Sequence, residues 1–197
     1  MFEVSTNDAL VIVDPQNDFC PGGALPVPHG DLIFGNINRL QPHFRHVLAT
    51  QDWHPPNHSS FLPQGGPWPP HCIRDTDGAG LHRSLDRAGI REVVQKGVDV
   101  ATDGYSGFAG TDLAERLRRR GVSRIVACGL ATDYCVRATV LEAIQHGFAA
   151  AVVIDAIAAV DVHPGDGQRA LDEMRAAGAQ LVSTDEVAGS QHPAGTQ

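Results

Sequence analysis

The chain has 197 residues, 42% of them hydrophobic, and a formal net charge of -8. That is enough apolar material for one sizeable core and too little for two comfortable domains, so a single domain over residues 1–197 is expected, with 1–8 and 189–197 as flexible tails. The acidic balance argues against a nucleic-acid partner. No run of 18 apolar residues is present, so no membrane span is expected, and no basic start leads into an apolar run as in a signal peptide.

Two compositional details bear on chemistry. The four cysteines, Cys20, Cys72, Cys128 and Cys135, form no C-x-x-C pair. They read as reduced thiols of a cytoplasmic protein. Of the 15 basic residues, 14 are arginine and one is lysine, Lys96. An arginine cannot stand in for a compact ammonium packed beside a reacting group.

The predicted elements alternate strand and helix. Ala9 to Val13 is an apolar strand that stops at Asp14-Pro15. Asp31 to Phe44 carries Leu32, Ile33, Ile37 and Leu40 at helical spacing. Arg45 to Asp52 is a second strand. Residues 53–80 hold six of the 13 prolines and no periodicity. A loop of that length is usually functional or disordered, and its tryptophans and histidines argue against disorder. Leu81 to Ala88 reads as a short helix, Glu92 to Lys96 as a third strand and Thr111 to Arg120 as a helix with Leu113 and Leu117 on one face. Ile125 to Cys128 is apolar on both faces, as a central parallel strand should be, and Gly129 is expected to end it. Thr132 or Asp133 could cap the helix that follows, which runs to about His146. Ala149 to Asp155, a helix from Asp166 to Ala177 stopped by Gly178, and a strand from Ala179 to Ser183 complete the pattern. The expected fold is α/β, a three-layer α-β-α arrangement on a central, mostly parallel six-stranded sheet.

In such sheets ligands bind beyond the carboxyl ends of the strands. Asp14, Lys96 and Cys135 all fall there. Together they supply a base, a cation and a nucleophile. Cys135 lies in the first turn of its helix, where the helix N-terminus is expected to favour thiolate. A second set, Asp52, His54 and His71, offers one carboxylate and two imidazoles, which would leave open positions on a divalent metal. His58 is either a further ligand or a support for the others. Phe19, Trp68, Tyr105 and Tyr134 could wall a flat heteroaromatic substrate. Asp18 and Arg137 flank these sets and read as structural salt-bridge partners.

These motifs, in this order, resemble the nicotinamidases of the isochorismatase-like cysteine hydrolase superfamily. The matching stretches are Asp14-Pro15-Gln16-Asn17-Asp18-Phe19, Asp52-Trp53-His54-Pro55 with His58-Ser59-Ser60-Phe61, Trp68-Pro69-Pro70-His71-Cys72, Lys96-Gly97, Tyr105-Ser106-Gly107-Phe108, and Gly129 to Val136. They span about residues 9–146. The resemblance implies hydrolysis of nicotinamide to nicotinate and ammonia through a cysteine thioester, as part of NAD salvage, with pyrazinamide as a second substrate. Cys135 would be the nucleophile, Asp14 the general base and Lys96 its partner. The backbone N–H groups of Ala131 and Cys135 would form the oxyanion hole, after a cis Leu130–Ala131 peptide. Asp52, His54 and His71 would hold zinc, iron or manganese, which would orient the pyridine ring. Phe19 and Trp68 would enclose that ring, with Tyr105, Tyr134 and Ala131 against it. No organic cofactor is implied, and a homo-oligomer stays open. Two rival readings are a related hydrolase of another small amide, carbamoyl compound or vinyl ether, and a binding module that has lost turnover.

Overall fold

The computed structural model describes residues 2–189. Six strands form one sheet: β1 (Asp8–Val13), β2 (His46–Asp52), β3 (Glu92–Lys96), β4 (Arg124–Leu130), β5 (Ala149–Ala158) and β6 (Gln180–Val182). Their order across the sheet is β3-β2-β1-β4-β5-β6, and every pairing is parallel. Four helices lie between strands, α1 (Phe34–Leu40), α2 (Leu113–Arg119), α3 (Arg137–Gln145) and α4 (Asp166–Ala176), and α5 (Thr184–Ala188) follows β6.

Strand alternation sorts the core into two faces. Leu10 and Ile12 of β1 pack with Ile37 and Leu40 of α1 and Val187 of α5 on one side. Ala9, Val11 and Val13 pack with Leu117 of α2, Val140 of α3 and Met174 of α4 on the other. With both faces covered, all six residues of β1 are buried. Chain order reverses between β1 and β4, so the strand ends diverge there and open a crevice, the place where such sheets bind ligands.

Several boundaries differ from expectation. The first helix starts at Phe34, leaving Leu32 in the preceding turn, 70% exposed. Leu81 to Ala88 is not helical. Its backbone is drawn instead to the segment after β1, with the His82 N–H on the Pro15 carbonyl and Leu81 bridged to Gln16. Strand β4 runs through Gly129 to Leu130, with a register shift against β5 between Ala127 and Gly129. Gly129, at φ 111°, lets the two central strands touch at this point: a β-carbon there would lie 2.1 Å from the Val13 carbonyl oxygen. Helix α5 was not anticipated, although Ser183 and Glu186 form a reciprocal capping box at its start. The lead-in before β1, expected to be flexible, is tied down: Phe2 is buried in the core under the Arg124 guanidinium. The tail expected from 189 onward lies outside the described residues apart from Gly189. Among the described residues no helix is long and apolar enough to cross a membrane.

Candidate active site

The carboxyl ends of four strands deliver the candidate residues. Asp14 follows β1, Asp52 and Lys96 end β2 and β3 in paired register, and Ala131 to Cys135 follow β4. Lys96 is the hub. Its Nζ lies 2.8 Å from Asp14 Oδ2 and donates to Asp52 Oδ1 at 2.6 Å and to the Gly104 carbonyl at 2.7 Å. It lies 3.5 Å from Cys135 Sγ. Asp14, Asp52 and Cys135 bring ligand atoms within 4.8 Å of one another. The ammonium sits among them as their shared cation.

One ammonium facing two buried carboxylates divides the charge unevenly. For Asp52, burial favours the neutral acid, yet Lys96 and His54 prevail and hold the carboxyl well below the usual range. For Asp14, burial prevails over Lys96 and the Thr50 hydrogen bond, and the carboxyl is pushed up. Lys96 would be lowered by burial, but Asp14 and Asp52 keep it firmly charged and raise it. Burial also pushes the Cys135 thiol up, against the pull of Lys96. This corrects the expectation of a thiolate favoured by a helix end. Cys135 lies in a single wide turn, Thr132–Val136, ahead of α3, and desolvation outweighs the charges around it. The Cys135 thiol thus sits beside a carboxyl that is paired through Oδ2 with the Lys96 ammonium at 2.8 Å and pushed up by burial.

The second set forms a compact donor group. Asp52, His54 and His71 are buried and each brings one ligand atom within 4.8 Å of the others. His54 Nδ1 lies 2.9 Å from the Gly97 carbonyl and His71 Nδ1 lies 2.8 Å from the Pro69 carbonyl. A ring nitrogen facing a carbonyl at that distance carries the proton, so both Nε2 atoms keep a lone pair for metal. Burial lowers the His71 pKa and favours the neutral ring that ligation needs. Gly97, at φ 61°, makes room for this: a β-carbon there would meet His54 Cε1 at 2.4 Å. This donor set fits a divalent cation. His58 stacks on His54 with ring centroids 4.0 Å apart, and its Nδ1 lies 2.7 Å from Ser60 Oγ. It is not one of the three converging residues. Phe61, fully buried, meets the rings of His54, His58 and His71 at 5.7, 5.6 and 5.4 Å.

Between the two sets lies a cavity of about 30 Å³ floored by Asp52, His71 and Cys135. Phe19, Trp68, Tyr105, Ala131 and Tyr134 wall it, as expected, joined by Leu25, Val27 and Val160. The Trp68 indole N–H donates to the Tyr105 hydroxyl at 2.9 Å, and Trp68 meets Tyr134 edge-on at 5.0 Å. The Leu130–Ala131 peptide is cis. A larger open cleft of about 710 Å³ elsewhere contains none of the trio or the metal-set residues.

Other supporting residues escaped the sequence reading. Thr50 donates to Asp14 Oδ1 at 2.6 Å and accepts the Asp14 N–H at 3.1 Å, a pairing across neighbouring strands that only the register reveals. Neither Thr132 nor Asp133 caps the turn that carries Cys135. Asp133 instead accepts the N–H groups of Val160 and Asp161, at 2.9 and 2.8 Å, and so fixes the Val160 wall. Arg137 forms its expected ion pair, with Glu173. Asp18 does not: its carboxylate accepts backbone N–H groups from Cys72 and Ala24.

A thiol, a carboxyl and an ammonium gathered at the switch point of a doubly wound parallel sheet define a cysteine hydrolase of the α/β class. The isochorismatase domain model matches residues 8–186, and the chain belongs to the isochorismatase family. It is 41% identical over 200 residues to a nicotinamidase of Escherichia coli (strain K12), covering 89% of this chain and 94% of that one. The fold superposes on the pyrazinamidase of Pyrococcus horikoshii in complex with zinc, with a TM-score of 0.83, 45% identity and coverage of 90% and 99%. It superposes also on PnC1 of L. infantum in complex with nicotinate, with a TM-score of 0.88, 39% identity and coverage of 94% and 96%.

Proposed function

We propose that this chain is a metal-dependent cysteine amidohydrolase that converts nicotinamide to nicotinate and ammonia, and pyrazinamide to pyrazinoate. The observation that carries the reading is the juxtaposition of two half-sites through one residue: Asp52 meets Lys96 with one oxygen and faces His54 with the other, with His71 converging on the same set. Asp14 takes the thiol proton of Cys135, and the sulfur attacks the carboxamide carbon. Backbone N–H groups of Ala131 and Cys135 receive the oxyanion, each worth on the order of 3 kcal/mol in the transition state. Asp14 returns its proton to the departing nitrogen, ammonia leaves, and a thioester remains on Cys135. Asp14 then takes a proton from water, the hydroxide adds to the thioester carbon, and nicotinate is released as the thiol regains its proton. Lys96 stays charged and steadies Asp14 throughout. Asp52, His54 and His71 would hold zinc, iron or manganese, which supplies a Lewis-acid anchor for the ring nitrogen. Four cysteines without a disulfide support a reducing, cytoplasmic setting.

The test compares nicotinamide with benzamide, which keeps the amide and lacks the ring nitrogen. Equal amounts of ammonia and nicotinate are expected from nicotinamide. For benzamide kcat/KM should fall on the order of 100-fold or more, because a polar anchor loses its partner. Hydrolysis of a carbamoyl compound with no turnover of nicotinamide would instead favour the rival amide-hydrolase reading.

A further inference from the structure

The segment that begins at Asp14 also reaches the metal set, through side chains that alternate along it. Gln16 is fully buried. Its Nε2 donates to the carbonyls of Asp52 and Ala79, both at 2.8 Å, and its Oε1 accepts the Asp52 N–H at 2.8 Å. Strand β1 pairs with β2 only as far as Ala49, while Asp52 pairs with Lys96 on its other side. The Gln16 amide therefore takes the place of the missing strand neighbour and holds both backbone groups of a candidate ligand.

Two residues on, Asp18 performs the matching task for the histidines. Its Oδ2 accepts the N–H of Cys72 at 2.7 Å, the amide directly after His71, and its Oδ1 accepts the Ala24 N–H at 3.0 Å. The Cys72 carbonyl in turn accepts the His54 N–H at 3.0 Å. One carboxylate thus fixes the backbone at His71 directly and that of His54 one hydrogen bond further on. Cys72 is itself in the left-handed region, at φ 44°, so the turn that aims His71 depends on an outside partner. Neither side chain reaches the cavity, so neither is a catalytic residue.

We propose that Gln16 and Asp18 are positioning residues that set the geometry of the Asp52–His54–His71 metal site from the same segment that carries the base. The inference rests on the metal-dependent reading above. Supports of this kind are typically worth 10- to 100-fold in metal affinity.

The experiment measures zinc dissociation constants of the full-length protein by competition with a chromophoric chelator, with no substrate present. Asp18→Asn removes one acceptor and turns an NH₂ toward a backbone N–H, and should weaken zinc binding about 10- to 100-fold. Asn17→Ala is the control. Asn17 donates to the Asp77 carbonyl at 2.7 Å and so ties the same two loops without touching a ligand. It should stay within about twofold of wild type. Should Asp18→Asn fail to fold, Gln16→Glu gives the same reading, since its carboxylate would face two carbonyls. Zinc affinity unchanged in the folded variant, or equally lost in Asn17→Ala, would overturn the inference alone. A wild-type protein that takes up no zinc, iron or manganese would overturn the metal reading and this inference with it.

Discussion

In the proposed mechanism Asp14 and Cys135 act as a pair, and burial disfavours the charged form of each. Burial raises both against the pull of the Lys96 ammonium beside them, so their titration belongs to the pair. The sign for activity follows from the direction. The base form of Asp14 is lost, as pH falls, earlier than for an ordinary carboxylate at about 3.9. The acid limb of kcat/KM therefore lies above that value. The basic limb, where the pair gives up its last proton, lies above the free-thiol value of about 8.5. Thr50→Val sharpens this test, because the Thr50 hydrogen bond is one of the few influences that lower Asp14. The variant should move the acid limb to higher pH and reduce kcat/KM about tenfold, the effect of one lost hydrogen bond to a charged group. A pH–rate profile of Thr50→Val that coincides with wild type would detach Thr50 from the base.

Two loops close the cavity. One runs from β2 to β3 and brings Trp68 and His71, and the other runs from β3 to α2 and brings Tyr105. Their meeting point is the Trp68–Tyr105 hydrogen bond, above a cavity of about 30 Å³. The seam narrows the mouth of the cavity that Phe19, Tyr134 and Cys135 also line. Tyr105→Phe leaves the indole N–H without its partner and loosens the wall. Steady-state kinetics should show KM raised roughly three- to tenfold with kcat within about twofold. A loss confined to kcat would instead put the phenol in the chemistry. These loops are also where the sequence was least legible. Strand ends could be read from apolar runs, so Asp14, Asp52, Lys96 and Cys135 were found without coordinates. His54 and His71 were marked by ligand chemistry in a proline-rich loop. What that loop does with its backbone was hidden, because Gly97 and Gly104 contribute carbonyls and carbonyls leave no trace in a sequence. The thiolate expectation for Cys135 failed for a related reason. Helix position is local and legible, whereas burial is a tertiary property.

At the scale of the molecule, the sheet order accounts for the site. Strands β2 and β3 lie on one side of β1, and β4 to β6 on the other. The crevice between β1 and β4 thus collects Asp14 from one half and Cys135 from the other, while β2 and β3 supply Asp52 and Lys96 beside them. Asp52 at the end of β2 and Cys135 after β4 line the same cavity from opposite halves of the sheet. The two-faced core accounts for the frame, and the candidate site lies where the strand order reverses. The most direct test of this account is ammonia release from nicotinamide by Cys135→Ala at full metal occupancy. A loss of at least about a thousandfold is predicted, as for removal of a nucleophile that acts as a unit with its base. Turnover within tenfold of wild type, in a variant that still binds metal, would contradict it.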